Sequence, residues 1–172
     1  NMQRHAQIAA LEYERQRHPL GISNTMLLAQ LYSDAGRISN ALECAQWALD
    51  TAATNANELE WYAAFFARHG EFDRADSVYA RLLECDPGNF NYWTSRAALA
   101  FDQDNGERAV AFLRHAADID RQRLARLLSI NKVVHAMHER GRTNLAAQLE
   151  QLLQPGGTVP SAETNPVNGN EP

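Results

Sequence analysis

The chain has 172 residues, 45% of them apolar, and a net charge of −5, which suits one folded domain with a real core. No stretch approaches the roughly 18 uninterrupted apolar residues of a membrane span, so the sequence reads as soluble, with no direct membrane crossing. Charge runs from −4 over residues 56–89 to +2 over 124–154, and no segment has the basic density that a phosphate backbone demands, which excludes nucleic acid as an expected partner. Fifteen of the sixteen basic residues are Arg, Lys132 being the exception, a bias that fits GC-rich codons and points to a bacterial source. Cys44 and Cys85 are too few for a disulfide framework or a zinc site. Both fall on apolar stripes, where cysteine acts as a small hydrophobe, and they leave the compartment open between cytoplasm and periplasm.

Met2 to Arg17 reads as one helix carrying Ile8, Leu11 and the alanines at 6, 9 and 10, punctuated by His18-Pro19-Leu20-Gly21. Residues 1–21 are therefore a cap or the second half of an upstream repeat, with truncation slightly favoured because Pro19 lies two periods of 34 before Pro87. That leading segment lacks the apolar core and small-residue cleavage site of a secretory signal, and the Asn1-Met2 start leaves a mature form, a tagged chain or a fragment all open.

The stretch 58–87 is the clearest in the chain. Leu59, Tyr62, Ala63 and Phe66 make one helical stripe, Gly70 breaks it, a second stripe runs through Phe72, Ala75, Val78, Tyr79, Leu82 and Leu83, and Pro87 stops it. The same pattern recurs at a spacing of 34: Ala29, Ala63 and Ala97 form one column, Ala41, Ala75 and Ala109 another, Ala48, Leu82 and Ala116 a third, and Gly36 and Gly70 share the turn. Fixed self-similarity of this length marks a stacked helical array.

The pattern resembles the tetratricopeptide repeat, W-x2-L-G-x2-Y followed by A-x3-F and P in 34 residues. Repeat 2 (56–89) fits best. Repeat 1 (22–55) matches at Leu28, Ala29, Tyr32, Ala41 and Ala48 but lacks the closing proline; repeat 3 (90–123) has Trp93 in the tryptophan position but Arg96 in place of Leu and Arg121 in place of Pro. A degenerate repeat or pair of capping helices (124–154) follows, three residues out of phase, with Ile130, Val133, Val134 and Met137 on one helix, Gly141 at the turn, and Ala146, Leu149, Leu152 and Leu153 on the next. The extra length is expected around 121–126, in the connection or the first helix. Residues 155–172, with four prolines and no apolar periodicity, read as a disordered tail. The resemblance implies an all-α fold, tandem helix-turn-helix units stacked as a right-handed α-solenoid, whose first helices line a concave groove.

Carried over from the family, groove positions fall on Ser23, Met26, Gln30, Ser33 and Asp34, then Asn57, Glu60, Ala64, Ala67 and Arg68, then Asn91, Thr94, Ala98, Phe101 and Asp102. Met26 and Phe101 are the expected anchors. Glu60 and Met26 stand where a carboxylate-clamping variant would need Lys, so an apolar or helical segment is the expected ligand. Arg96 interrupts an apolar stripe and is read either as a groove-floor hydrogen-bond donor or as a packed stem paired with Glu60 or another acid; the second is preferred. The acids Glu71, Asp73 and Asp76 are expected on a solvated outer face.

His135, His138 and Glu139 form H-x-x-H-E, a weak metal candidate that lacks a third ligand and is not H-E-x-x-H. Residues 102–107 resemble a calcium loop, but Gly106 comes one place early and Leu113 stands where the bidentate Glu belongs, so the segment is read as a helix-to-helix turn. No phosphate-cradling glycine loop or nucleophile motif appears. The expected protein is thus a non-enzymatic adaptor or scaffold without cofactor, binding a protein or peptide partner in its groove and able to self-associate through its terminal helices. Narrower alternatives are a chaperone like the repeat-built class that escorts type III secretion translocators, or a fragment of a bacterial envelope or exopolysaccharide-export scaffold; a metal-dependent enzyme is the remote one.

Overall fold

The computed structural model describes residues 2–18, 20–51 and 55–154; the 155–172 tail and Pro19 lie outside the described residues, as does the side chain of Ile130. Nine helices and no strand are present among the described residues: α1 (Met2–Arg17), α2 (Ile22–Asp34), α3 (Ile38–Thr51), α4 (Ala56–Arg68), α5 (Phe72–Cys85), α6 (Phe90–Asp102), α7 (Gly106–Ile130), α8 (Val133–Glu139) and α9 (Thr143–Leu153). The helices α2 with α3, α4 with α5 and α6 with α7 pack as pairs, and successive pairs stack. The protein is an all-α helical-repeat solenoid.

The repeat is written into the backbone as well as the side chains. Each first helix ends in the same carbonyl cap, in which the N–H of Arg37, Glu71, Asn105 and Arg142 reaches back to the carbonyl of Tyr32, Phe66, Ala100 and Met137 at 2.9, 2.9, 2.8 and 2.9 Å. That cap needs one left-handed residue. Gly36, Gly70 and Gly141 supply it at φ 76°, 77° and 71°, and in the third unit Asp104 does so at φ 61°, Asp being among the few side chains that tolerate the region. The first helices of the second and third units both open on an asparagine cap, Asn55 accepting from Glu58 N–H and Asn89 from Asn91 N–H, whereas α2 opens at Gly21 with no side-chain cap.

All three columns are buried: Ala29, Ala63, Ala97, Ala41, Ala75 and Ala109 are fully inaccessible, and Ala48, Leu82 and Ala116 are at most 2% exposed. Small side chains at the crossings let paired helices approach closely. Phe66, Tyr79 and Trp93 fill the spaces between units. The core falls into two clusters that meet at α6, which turns Tyr92 and Leu99 towards the first two units and Phe90, Ala97 and Ala100 towards the end of the chain, with Trp93 touching both.

The fourth unit departs from the pattern for a local reason. Asp86 and Asp120 share a column and nearly the same corner conformation, φ −138°, ψ 76° and φ −152°, ψ 90°. After Asp86 the Pro87-Gly88 pair delays the next helix, whereas after Asp120 the helix formers Arg121 and Gln122 let it resume at once. Asp120 caps it, accepting from Arg123 N–H at 2.9 Å. The extra residues thus lengthen the first helix of the last unit, which breaks at Asn131-Lys132, where Lys132 takes φ 50°, and continues as α8.

Candidate interaction surface

The predicted groove residues lie on α2, α4 and α6, and many of them fasten one unit to the next. Arg68 Nη2 donates to Gln30 Oε1 at 3.3 Å, and Gln30 donates in turn to Asp34 at 2.7 Å. Ser33 Oγ meets His69 Nε2 at 3.0 Å. One junction further, Tyr92 Oη donates to Glu60 at 2.6 Å, and beyond it Arg123 donates to Asn91 Oδ1 at 2.8 Å. These bonds fix the spacing of successive first helices.

Met26 and Phe101 are each half-buried, Met26 against the N-terminal core and Phe101 against the C-terminal one. Phe101 lines a cleft of about 200 Å³ with Val133, Ala136, Met137 and Arg140. Thr94 spends its hydroxyl on the carbonyls of Phe90 and Asn91. Asn57 and Asp102 are exposed, and Asp102 opens the α6–α7 turn, which is a helix cap.

Arg96 is a packed stem paired with an acid, and that acid is Asp76. Its Nε donates to Asp76 Oδ1 at 2.6 Å and its Nη2 to Asp76 Oδ2 at 3.0 Å, and Arg108 Nη2 reaches the same oxygen at 2.7 Å. The Arg96 guanidinium also lies 4.2 Å from the Phe112 ring centre, an additional cation–π contact. Asp76, expected on a solvated face, is therefore buried, at 8% exposure. A carboxylate there is tolerable because two guanidinium groups neutralise it. The sequence did carry a signal: Asp76 interrupts the column Leu42/Val110 and Arg96 the column Leu28/Tyr62, so two opposite charges replace two apolar residues at one junction.

The cysteines also divide. Cys44 is buried, and burial pushes its thiol pKa up, while Cys85 is exposed, contrary to the expectation that both pack as hydrophobes; the stripe at Leu82 and Leu83 rotates Cys85 outwards at the helix end. His135 pairs with Glu139 at 3.3 Å and His138 with Glu150 at 3.4 Å. Among the described residues no group of three or more potential ligands converges on a metal position.

Sequence reasoning missed one column. Leu27 is 47% exposed on α2, and 34 residues on, Trp61 is half-buried on α4, stacked on Phe65 at 4.9 Å, with His69 edge-on to Phe65 at 4.7 Å. These positions adjoin Met26 and Glu60 in sequence. An exposed Leu repeating as Trp could have been found by testing every column for apolar residues outside the stripe.

With the stacked pairs and their shared caps established, solved structures supply a counterpart. The fold is shared with MamA, a tetratricopeptide-like helical repeat protein. One MamA crystal structure matches with a TM-score of 0.57 at 13% identity, over 85% of this chain and 84% of that one. Another gives 0.56 at 14% identity over 85% and 79%, and a third 0.54 at 15% over 87% and 94%. No protein-family model matches the sequence, and no curated protein does. None of the described helices is long and apolar enough to cross a membrane.

Proposed function

We propose that the protein is a non-catalytic interaction module, an adaptor or scaffold that holds a segment of a partner protein along the face of its first helices. The observation that carries this reading is the Leu27/Trp61 column. Two large apolar side chains, one exposed and one half-buried, recur on successive first helices beside the polar positions Asn57, Glu60 and Arg68. An aromatic anchor ringed by adaptable polar groups is the usual make-up of a binding hot spot. The wholly helical architecture shared with MamA supports the reading, since stacked repeats generate extended faces of this kind. A secretion chaperone or an export scaffold would use the same face and differ in the partner it holds.

Affinity capture with the full chain as bait tests the assignment. Leu27→Glu, a change at an exposed position, is expected to abolish capture of the partners retained by wild type while the helical circular dichroism stays unchanged. Arg81→Glu, on the exposed side of α5, is expected to change nothing. Capture that survives Leu27→Glu and is lost with Arg81→Glu would move the binding surface to the second helices.

A further inference from the structure

The last unit carries a second apolar cleft, on the side of α8 away from Phe101. Ala125, Leu128 and Ser129 of α7, Val134 of α8 and Leu153 of α9 enclose about 470 Å³, with Lys132, His135 and His138 at its edge. The cleft exists because the lengthened first helix breaks at Lys132, so that its two halves and α9 meet around a hollow. The carbonyl caps set the register: Tyr32, Phe66, Ala100 and Met137 are equivalent, which makes His135 the counterpart of Gln30 and His138 the counterpart of Ser33. In the first unit those two positions hold the first helix of the following unit, through Arg68 and His69. In the last unit they edge an apolar hollow, although the outer face of a terminal repeat is ordinarily polar.

We propose that this cleft is a docking site for an amphipathic helix of a partner protein, seated where the first helix of a further unit would lie and bearing acidic residues along its flank. A helix is favoured because the equivalent positions already bind one. An acidic flank follows from charge. Among the described residues no carboxylate lines the cleft, its histidines are held by Glu139 and Glu150, and Lys132 has no acidic partner. The α1 helix of a second copy fits less well, since residues 1–21 sum to +1 and like charges would face each other. The 155–172 sequence has four prolines and no apolar period, so it lacks the apolar seam that the proposed partner carries. The site stands apart from the face proposed above and does not rest on that reading.

Two labelled peptides of about 16 residues, ~24 Å of helix, sharing one Leu/Ala seam and flanked by Glu in one case and Lys in the other, test the proposal by fluorescence anisotropy on the full chain. The Glu-flanked peptide is expected to bind saturably and the Lys-flanked one weakly. Lys132→Glu is expected to weaken the first about tenfold and to reverse the preference. Val134→Glu should remove binding of both with the helical circular dichroism retained, and Leu27→Glu should leave binding unchanged, which separates this cleft from the first-helix face. Equal binding of the two peptides, or binding insensitive to Val134→Glu, overturns the proposal. So does a wild-type dimer in sedimentation equilibrium that Val134→Glu dissociates, which gives the cleft to a second copy, and so does displacement by a peptide of residues 155–172, which gives it to the chain's own tail.

Discussion

The first and second units meet differently from the second and third, although the same columns build both junctions. Between the second and third, Asp76 is gripped by Arg96 and Arg108, and Tyr92 adds a 2.6 Å bond to Glu60. Between the first and second, the links include the Ser33–His69 contact and the long Arg68–Gln30 bond. There the hydroxyl of Tyr62, a wholly buried side chain, has no hydrogen-bond partner among the described residues. One junction buries a carboxylate and pairs it with two guanidinium groups; the other has no such ion pair among the described residues and leaves the Tyr62 hydroxyl unsatisfied. A buried ion pair is seldom a net gain over apolar packing, but it punishes the loss of either partner, so the charged junction is the more specific and the more fragile to single changes.

The largest effect that would break this comparison is at Asp76. Asp76→Ala leaves Arg96 partly buried without its acid, and about 3–5 kcal/mol of stability should be lost. Ser33→Ala at the other junction should cost about 1 kcal/mol or less. Urea unfolding of the two variants measures both, and equal losses would erase the distinction.

Alkaline titration sharpens it. The Tyr62 pKa is raised from 10.0 to about 12, first by burial and then by the nearby Glu58 and Cys44. That of Tyr92 is raised to about 12, first by its hydrogen bond to Glu60 and then by burial, and that of Tyr32 to about 12 by burial and then by its bond to Glu12. A folded pKa above the unfolded one means that the neutral phenol is favoured in the fold. The associated stability is complete below about pH 10 and is lost as pH rises towards 12. Thermal unfolding followed across that window should show a falling midpoint for wild type and a shallower fall for Tyr92→Phe.

The smallest effect has opposite signs at the two junctions. Tyr62→Phe removes an unsatisfied buried hydroxyl and should be neutral or stabilising by about 1 kcal/mol, while Tyr92→Phe at neutral pH gives up a satisfied bond and should cost about 1 kcal/mol. Matching signs in differential scanning calorimetry would mean that Tyr62 gains more from its hydroxyl than its surroundings show.

Much of the architecture was legible in the sequence because a repeat shows each column several times over. The alanine columns at 29/63/97 and 41/75/109 mark the helix crossings, and Gly36 and Gly70 mark the turns. The third turn is legible at residues 102–107, but not as a member of the glycine column, which Asp104 fills at φ 61°, because the cap depends on a left-handed backbone more than on a glycine. The Asp76–Arg96 pair was only half legible: Arg96 is visibly foreign to its stripe, but its partner lies on a different helix, and the pairing depends on how two units stack. The cleft at Lys132 was not legible. It arises from a helix break that no Pro or Gly announces, so nothing local in the sequence distinguishes it from the uninterrupted first helices before it.

Hydrogen exchange with mass spectrometry, run with and without a captured partner, tests most directly whether the first helices are the face that meets it. Bound partner should slow exchange in α2, α4 and α6 and leave α3 and α5 unchanged. Protection confined to α3 and α5, with the first helices exchanging as in the free protein, would contradict it.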